Sequence, residues 1–178
     1  MLKNTLNSIS PLDGRYASKL NDLEQYFSEF ALIKNRVLVE INWLIFMSRT
    51  KSLSFIPALS KSKENSLLKV IDNFSIKDAE QIKKIEAKTN HDVKAVEIFI
   101  GKKLESLNLN KYKEFVHLFC TSEDINNLSY SLMLKGYLDS EFKKTNSTLL
   151  KDLKYKSKKW SKLAMLSFTH GQTASPTT

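Results

Sequence analysis

From Ser122 to near Lys162 the chain meets no proline and only one glycine, Gly136. Leu128, Leu132, Leu134, Leu138, Phe142, Leu149, Leu153 and Trp160 recur along it at helical spacing, and around residues 128–138 the pattern is apolar nearly all round. A helix of about 40 residues would be about 60 Å long. A rod of that length is not buried by one ordinary globular domain, so it implies a bundle or an interface between copies. Breakers are scarce elsewhere too: 178 residues include four glycines and three prolines, too few for the tight turns of a β-sandwich or barrel. The expected fold is therefore all-α. A helical N-terminal domain covers residues 1–110, and residues 111–178 open a central bundle with its first long helix.

The preceding segments support that division. A turn-forming lead, Ser8 to Tyr16, contains Pro11 and Asp13-Gly14 and delivers Arg15 and Tyr16 immediately after the turn. From about Leu20 to Ser48, the steps between Phe27, Phe30, Ile33, Val37, Ile41, Leu44 and Ile45 predict one helix with protein on both sides. A second helix is expected over about 63–73, after a loop holding Pro57. Ser75 and Asp78 resemble a capping box that starts a third, ending near Lys88-Thr89. Asn90 is the expected N-cap of the next, which begins His91-Asp92 and continues through Val93, Val96, Phe99, Ile100 and Leu104. Asn108-Leu109-Asn110 marks the boundary. The chain ends in Ser167 to Thr178, a polar loop dense in donors where no helix can be completed, which reads as a truncation.

The formal charge of +9 is carried almost wholly by lysine, the arginines being Arg15, Arg36 and Arg49. Base reading leans on arginine forks, so a nucleic-acid partner is not expected. A basic field does attract anionic small molecules. Cys120 is the sole cysteine, which excludes an intrachain disulfide and fits a reducing compartment. The N-terminus lacks the layout of a signal peptide, and the greasiest run, Ile41 to Met47, is too short to span a bilayer. A cytoplasmic protein without a membrane partner is expected.

The candidate chemistry lies at helix starts and donor-rich loops. Thr121 or Ser122 can cap the long helix, with Glu123 and Asp124 in its first turn. Such a start presents free backbone N–H groups and small hydroxyls, which suit a carboxylate or phosphate. Asn90, His91 and Asp92 occupy a second start, and Arg15 beside Tyr16 suits bidentate capture of an anion. Each group also has a plain structural use as a cap, an exposed arginine or a packed tyrosine. Of three histidines, His117 sits in the apolar segment Phe115–Phe119 and reads as a core residue. His91 and His170 remain as acid–base candidates. The chain has no zinc spacing, HExxH, Walker motif or GxGxxG, so neither a metal nor a cofactor is expected. These residues alone describe an anion-binding helical protein without naming a reaction.

Four motifs together resemble the adenylosuccinate lyase family, in its order and with similar intervals. They are Ser10 to Tyr16 (SPLDGRY), Thr89 to Glu97 (TNHDVKAVE), Cys120 to Asn127 (CTSEDINN) and Thr169 to Gln172 (THGQ). The last is shared across the wider fumarase/aspartase superfamily, whereas the long CTSEDINN run is specific. The resemblance implies a lyase of purine and AMP biosynthesis, active as a homotetramer on an anionic nucleotide. It implies β-elimination of fumarate from adenylosuccinate, giving AMP, and from the succinylated aminoimidazole carboxamide ribotide. By similarity His170 matches the general acid, and Thr121 and Ser122 match residues that bind the succinyl portion. Arg15, Tyr16, Asn90, His91 and Asp92 match further substrate contacts, with Arg15 facing the phosphate. The family's serine base lies on a flexible loop well downstream of THGQ, so this piece is expected to be inactive alone. Two other readings stay open: another fumarate-releasing lyase of the superfamily, such as argininosuccinate lyase, or a non-catalytic basic helical binding module.

Overall fold

Ser28 divides the first long helical pattern. In the computed structural model, which describes residues 5–178, α1 (Asn21–Phe27) and α2 (Glu29–Arg49) replace the single helix expected there. Ser28 is extended (φ −75°, ψ 161°), and its hydroxyl accepts the Ala31 N–H, at 3.1 Å. A serine that satisfies an orphan amide of a new helix favours a restart over continuation.

The core is built around α2. Val37, Ile41, Leu44 and Met47 are buried in it, and α3 (Lys61–Asp72), α4 (Ile76–Thr89) and α5 (Asp92–Ser106) pack about them. Ile82, Val96, Phe99 and Leu104 complete the cluster from α4 and α5. Each large apolar side chain removed from water contributes about 1.5–3 kcal/mol. The Asp78 carboxylate accepts the Ser75 N–H at 3.0 Å, as the sequence predicts.

The junction of α4 and α5 differs from expectation by one residue. Asn90 closes α4 in the left-handed conformation (φ 51°, ψ 34°), and His91 is the N-cap of α5. Asparagine tolerates that conformation better than most residues, so it ends one helix and leaves capping to its neighbour.

The described residues form two compact units, one running to Gly136 and one from Tyr137 to Thr178. In the first, α6 begins at Ser122, after a segment in which His117 (φ 63°) and Phe119 (φ 65°) are left-handed. The expected long helix is divided: α6 (Ser122–Tyr137) is followed by a π-helical turn, Leu138–Phe142, and by α7 (Lys143–Trp160). Helical dihedrals hold at both ends of the turn, at Tyr137 and Lys143. The rings of Tyr137 and Phe142, five residues apart, lie 5.9 Å from each other, the spacing of the i→i+5 ladder.

The C-terminal residues correct a further expectation. The anticipated polar loop is a hairpin of β1 (Met165–Thr169) and β2 (Gln172–Thr177), antiparallel, with Thr169 opposite Gln172. His170 (φ 52°) and Gly171 (φ 78°) form its two-residue turn, and two positive φ values match the right-handed twist of paired strands. Among the described residues no helix is long and apolar enough to cross a membrane.

Candidate active site

Two helix starts named by the sequence meet through α2. Arg36, on the buried side of α2, donates from Nη2 to Asp92 Oδ2 at 2.6 Å and from Nε to Asn126 Oδ1 at 2.9 Å. Its side chain is 7% exposed. One guanidinium thus ties the first residue of α5 to the fifth residue of α6. Val39, Val93 and Ile125, from the same three helices, form a small apolar cluster.

At the α5 start, His91 Nδ1 accepts the Lys94 N–H at 3.1 Å. An accepting Nδ1 assigns the proton of the neutral ring to Nε2, so an N–H donor points away from the helix. The ring is about half exposed, at 52%. Asp92 has both oxygens engaged, Oδ1 accepting the Val93 N–H at 2.8 Å and Oδ2 facing Arg36. Burial alone would raise its carboxyl, but the Val93 amide and the Arg36 charge outweigh that and hold it below the ordinary aspartate value.

At the α6 start, Asp124 Oδ2 accepts both the Thr121 N–H at 2.7 Å and the Thr121 hydroxyl at 3.1 Å. The backbone bond from Thr121 and then its hydroxyl keep the Asp124 carboxyl low. Thr121 is exposed, and Ser122, the first residue of α6, is half-buried. Small hydroxyls beside free amide donors, with the positive end of the helix dipole behind them, can hold a carboxylate.

The approach to this start is fastened to α2 twice more. Trp43 Nε1 donates to Leu118 O at 2.8 Å, and His117 Nδ1 lies 2.6 Å from Glu40 Oε1. His117 is thus a satisfied inner histidine, as its apolar setting predicts. The Glu40 side chain is wholly buried and pushed above the usual carboxylate range by that burial, which the His117 bond offsets only in part.

Arg15 and Tyr16 occupy their own turn, where the guanidinium lies 5.4 Å from the phenol ring centre and the Tyr16 N–H donates to Pro11 O at 3.0 Å. Both are exposed. The contacts described for this turn do not join it to the Arg36 bridge. Asn90 is exposed at the α4–α5 corner. His170 belongs to the second unit, exposed at the tip of the hairpin. Among the described residues, no group of three His, Cys, Asp or Glu is placed to hold a metal ion.

Sequence reasoning passed over Arg36, Glu40 and Asn126 as site-forming residues. Arg36 and Glu40 fall in the helical register of Ile33, Val37, Ile41 and Leu44. Charged residues in an apolar register signal a buried polar contact, though not its partner.

A profile of the family described as Lyase matches residues 14–178. The chain belongs to this lyase family. Within it, the chain is similar to adenylosuccinate lyases. Those of Legionella pneumophila (strain Corby) and Haemophilus influenzae are each 43% identical to it over 179 residues, covering 100% of this chain and 39% of theirs. That of Escherichia coli (strain K12) is 41% identical over 175 residues, covering 98% of this chain and 38% of its own. The chain therefore spans well under half the length of these curated relatives.

Proposed function

We propose that these residues serve an adenylosuccinate lyase, a cytoplasmic homotetramer that releases fumarate from adenylosuccinate and from the succinylated aminoimidazole carboxamide ribotide. The reading is supported most directly by the Arg36-bridged pair of helix starts in a chain 43% identical along its length to adenylosuccinate lyases. Residues 1–110 form the N-terminal domain of the whole enzyme, and residues 111–178 open its central bundle.

In the reaction a base removes a proton from the succinyl carbon next to the one that bears nitrogen. The electron pair is held by the adjoining carboxylate and then forms the C=C bond as the C–N bond breaks. The departing nitrogen takes a proton, and fumarate leaves. The Thr121 and Ser122 hydroxyls and the α6 amides hold the succinyl carboxylates and stabilise the developing negative charge. Arg15 takes the phosphate, with Tyr16, Asn90, His91 and Asp92 lining the rest of the substrate. His170 protonates the leaving nitrogen. The elimination is acid–base chemistry and asks for no cofactor. We assign the base to none of residues 1–178, so the piece alone is expected to release no fumarate.

The test is fumarate release by the whole enzyme that carries these residues. His170→Ala should lower kcat by about 10²–10⁴-fold while the circular dichroism and melting curves stay as in the parent. An unchanged kcat would remove His170 from the mechanism. Release from argininosuccinate instead of adenylosuccinate would move the protein to the neighbouring lyase.

A further inference from the structure

We propose that Arg36 is a positioning residue, whose guanidinium fixes the spacing between the α5 start that carries His91 and the α6 start that carries Thr121 and Ser122. The substrate part of this inference rests on the lyase reading, whereas the bridge itself does not. Arg36 reaches from the middle of α2 to two segments 56 and 90 residues away in sequence, at 2.6 and 2.9 Å. It uses different nitrogens for the two, Nη2 for Asp92 and Nε for Asn126. A planar fork with donors at fixed angles sets both partners at once, which a lysine point charge cannot do. Asp92 completes the link: its second oxygen caps the amide of Val93, so the carboxylate fixes the first turn of α5 to Arg36. A buried guanidinium whose carboxylate is removed is left charged in a low dielectric, so the bridge holds as a unit. A dicarboxylate that spans the two starts meets a gap whose width Arg36 defines, and a shift of about 1 Å there is costly to binding and to rate.

Lysine separates the two arms. In the 178-residue chain, Arg36→Lys keeps a cation for Asp92 but has no donor in the Nε position for Asn126. By amide exchange followed by NMR, Val93 and Lys94 should stay within about twofold of the parent, while Asp124 to Asn126 exchange about tenfold faster. Asn126→Ala should release the α6 start alone, and Arg36→Met should release both. The α4 amides should remain unmoved throughout. Acceleration by one common factor in α4, α5 and α6 would reduce Arg36 to a general contributor to stability and overturn the proposal. Full rescue of both starts by lysine would overturn it too. Titration with succinate as the dicarboxylate probe reads the functional half. It should shift the His91 and Thr121–Ser122 amides of the parent chain and bind about tenfold more weakly to Arg36→Lys. Equal succinate affinity in parent and variant overturns the positioning role. The expected exchange pattern with no succinate response in the parent counts against the lyase reading and leaves the bridge standing.

Discussion

Glu40 and His117 place a carboxyl and an imidazole 2.6 Å apart with the carboxyl wholly buried. Burial raises the Glu40 carboxyl, and the negative charge of Glu97 raises it further; the hydrogen bond and charge of His117 lower it without cancelling the rise. A carboxyl raised in the fold binds its proton more readily than in the unfolded chain. Its contribution is therefore full below the unfolded value of 4.5 and is lost as pH rises through the folded value. Asp92 and Asp124 work in the opposite sense. Their depressed carboxyls stabilise the fold above 3.8, and that stabilisation fades as acid titrates them. Glu40→Gln keeps a hydrogen-bonding group for His117 without the buried charge. Relative to the parent, its melting temperature should accordingly climb as pH rises above 4.5 and coincide with it under acid conditions, as differential scanning calorimetry would record. A relative fall as pH rises would mean that the bond to His117 outweighs the burial cost. At this scale the sequence disclosed types and places but not partners. His117 was legible as an inner histidine from its apolar neighbours. That Glu40 meets it across 77 residues is set by the packing of α2, which no local pattern encodes.

Helix identity was legible wherever the period was long, as in α3, α4 and α5, because their apolar faces repeat over several turns. The misses lie at junctions. Ser28 looks like one more tolerated residue in a helical run until its hydroxyl is seen on the Ala31 amide. Asn90 and His91 are both acceptable caps, and the left-handed φ of Asn90 decides between them. The hairpin was hidden because Ser, Thr and Gly between polar neighbours suit a loop as well as a strand, and because His170-Gly171 is a less familiar turn pair than Asn-Gly. Gly171 carries a φ of 78° with nothing within 4 Å of an added Cβ. Gly171→Ala would therefore suffer backbone strain alone, about 1–2 kcal/mol. Loss of the cross-strand contacts between Thr169 and Gln172, followed by NMR, should accompany that substitution. An intact hairpin in Gly171→Ala would show that its strands hold the turn against the strain.

As a whole the protein combines a formal charge of +9 with apolar side chains left facing outward. On α6, Leu128, Leu132 and Leu134 are exposed, and on α7, Leu149, Leu150 and Leu153. The all-α class was readable because so few breakers interrupt so many periodic residues. What covers these leucines was not readable, since the same pattern serves a bundle and an interface. Like charge keeps copies apart while the leucines draw them together, and salt screens the first without weakening the second. Sedimentation velocity should thus show association that increases with protein concentration and with added sodium chloride. Association that weakens as salt is added would instead mark it as electrostatic.

The bond from Trp43 to the Leu118 carbonyl also gives the chain an optical reporter. The other indole, Trp160, is 48% exposed at the end of α7, so its emission belongs at the red edge. The Trp43 indole, half-covered and fixed by its N–H, emits further to the blue. Light from these two residues can be separated by wavelength and by collisional quenching. The bluer signal should report on the backbone three residues before Thr121, so a molecule that moves that backbone on settling at the α6 start should alter the light of a chromophore already in the sequence.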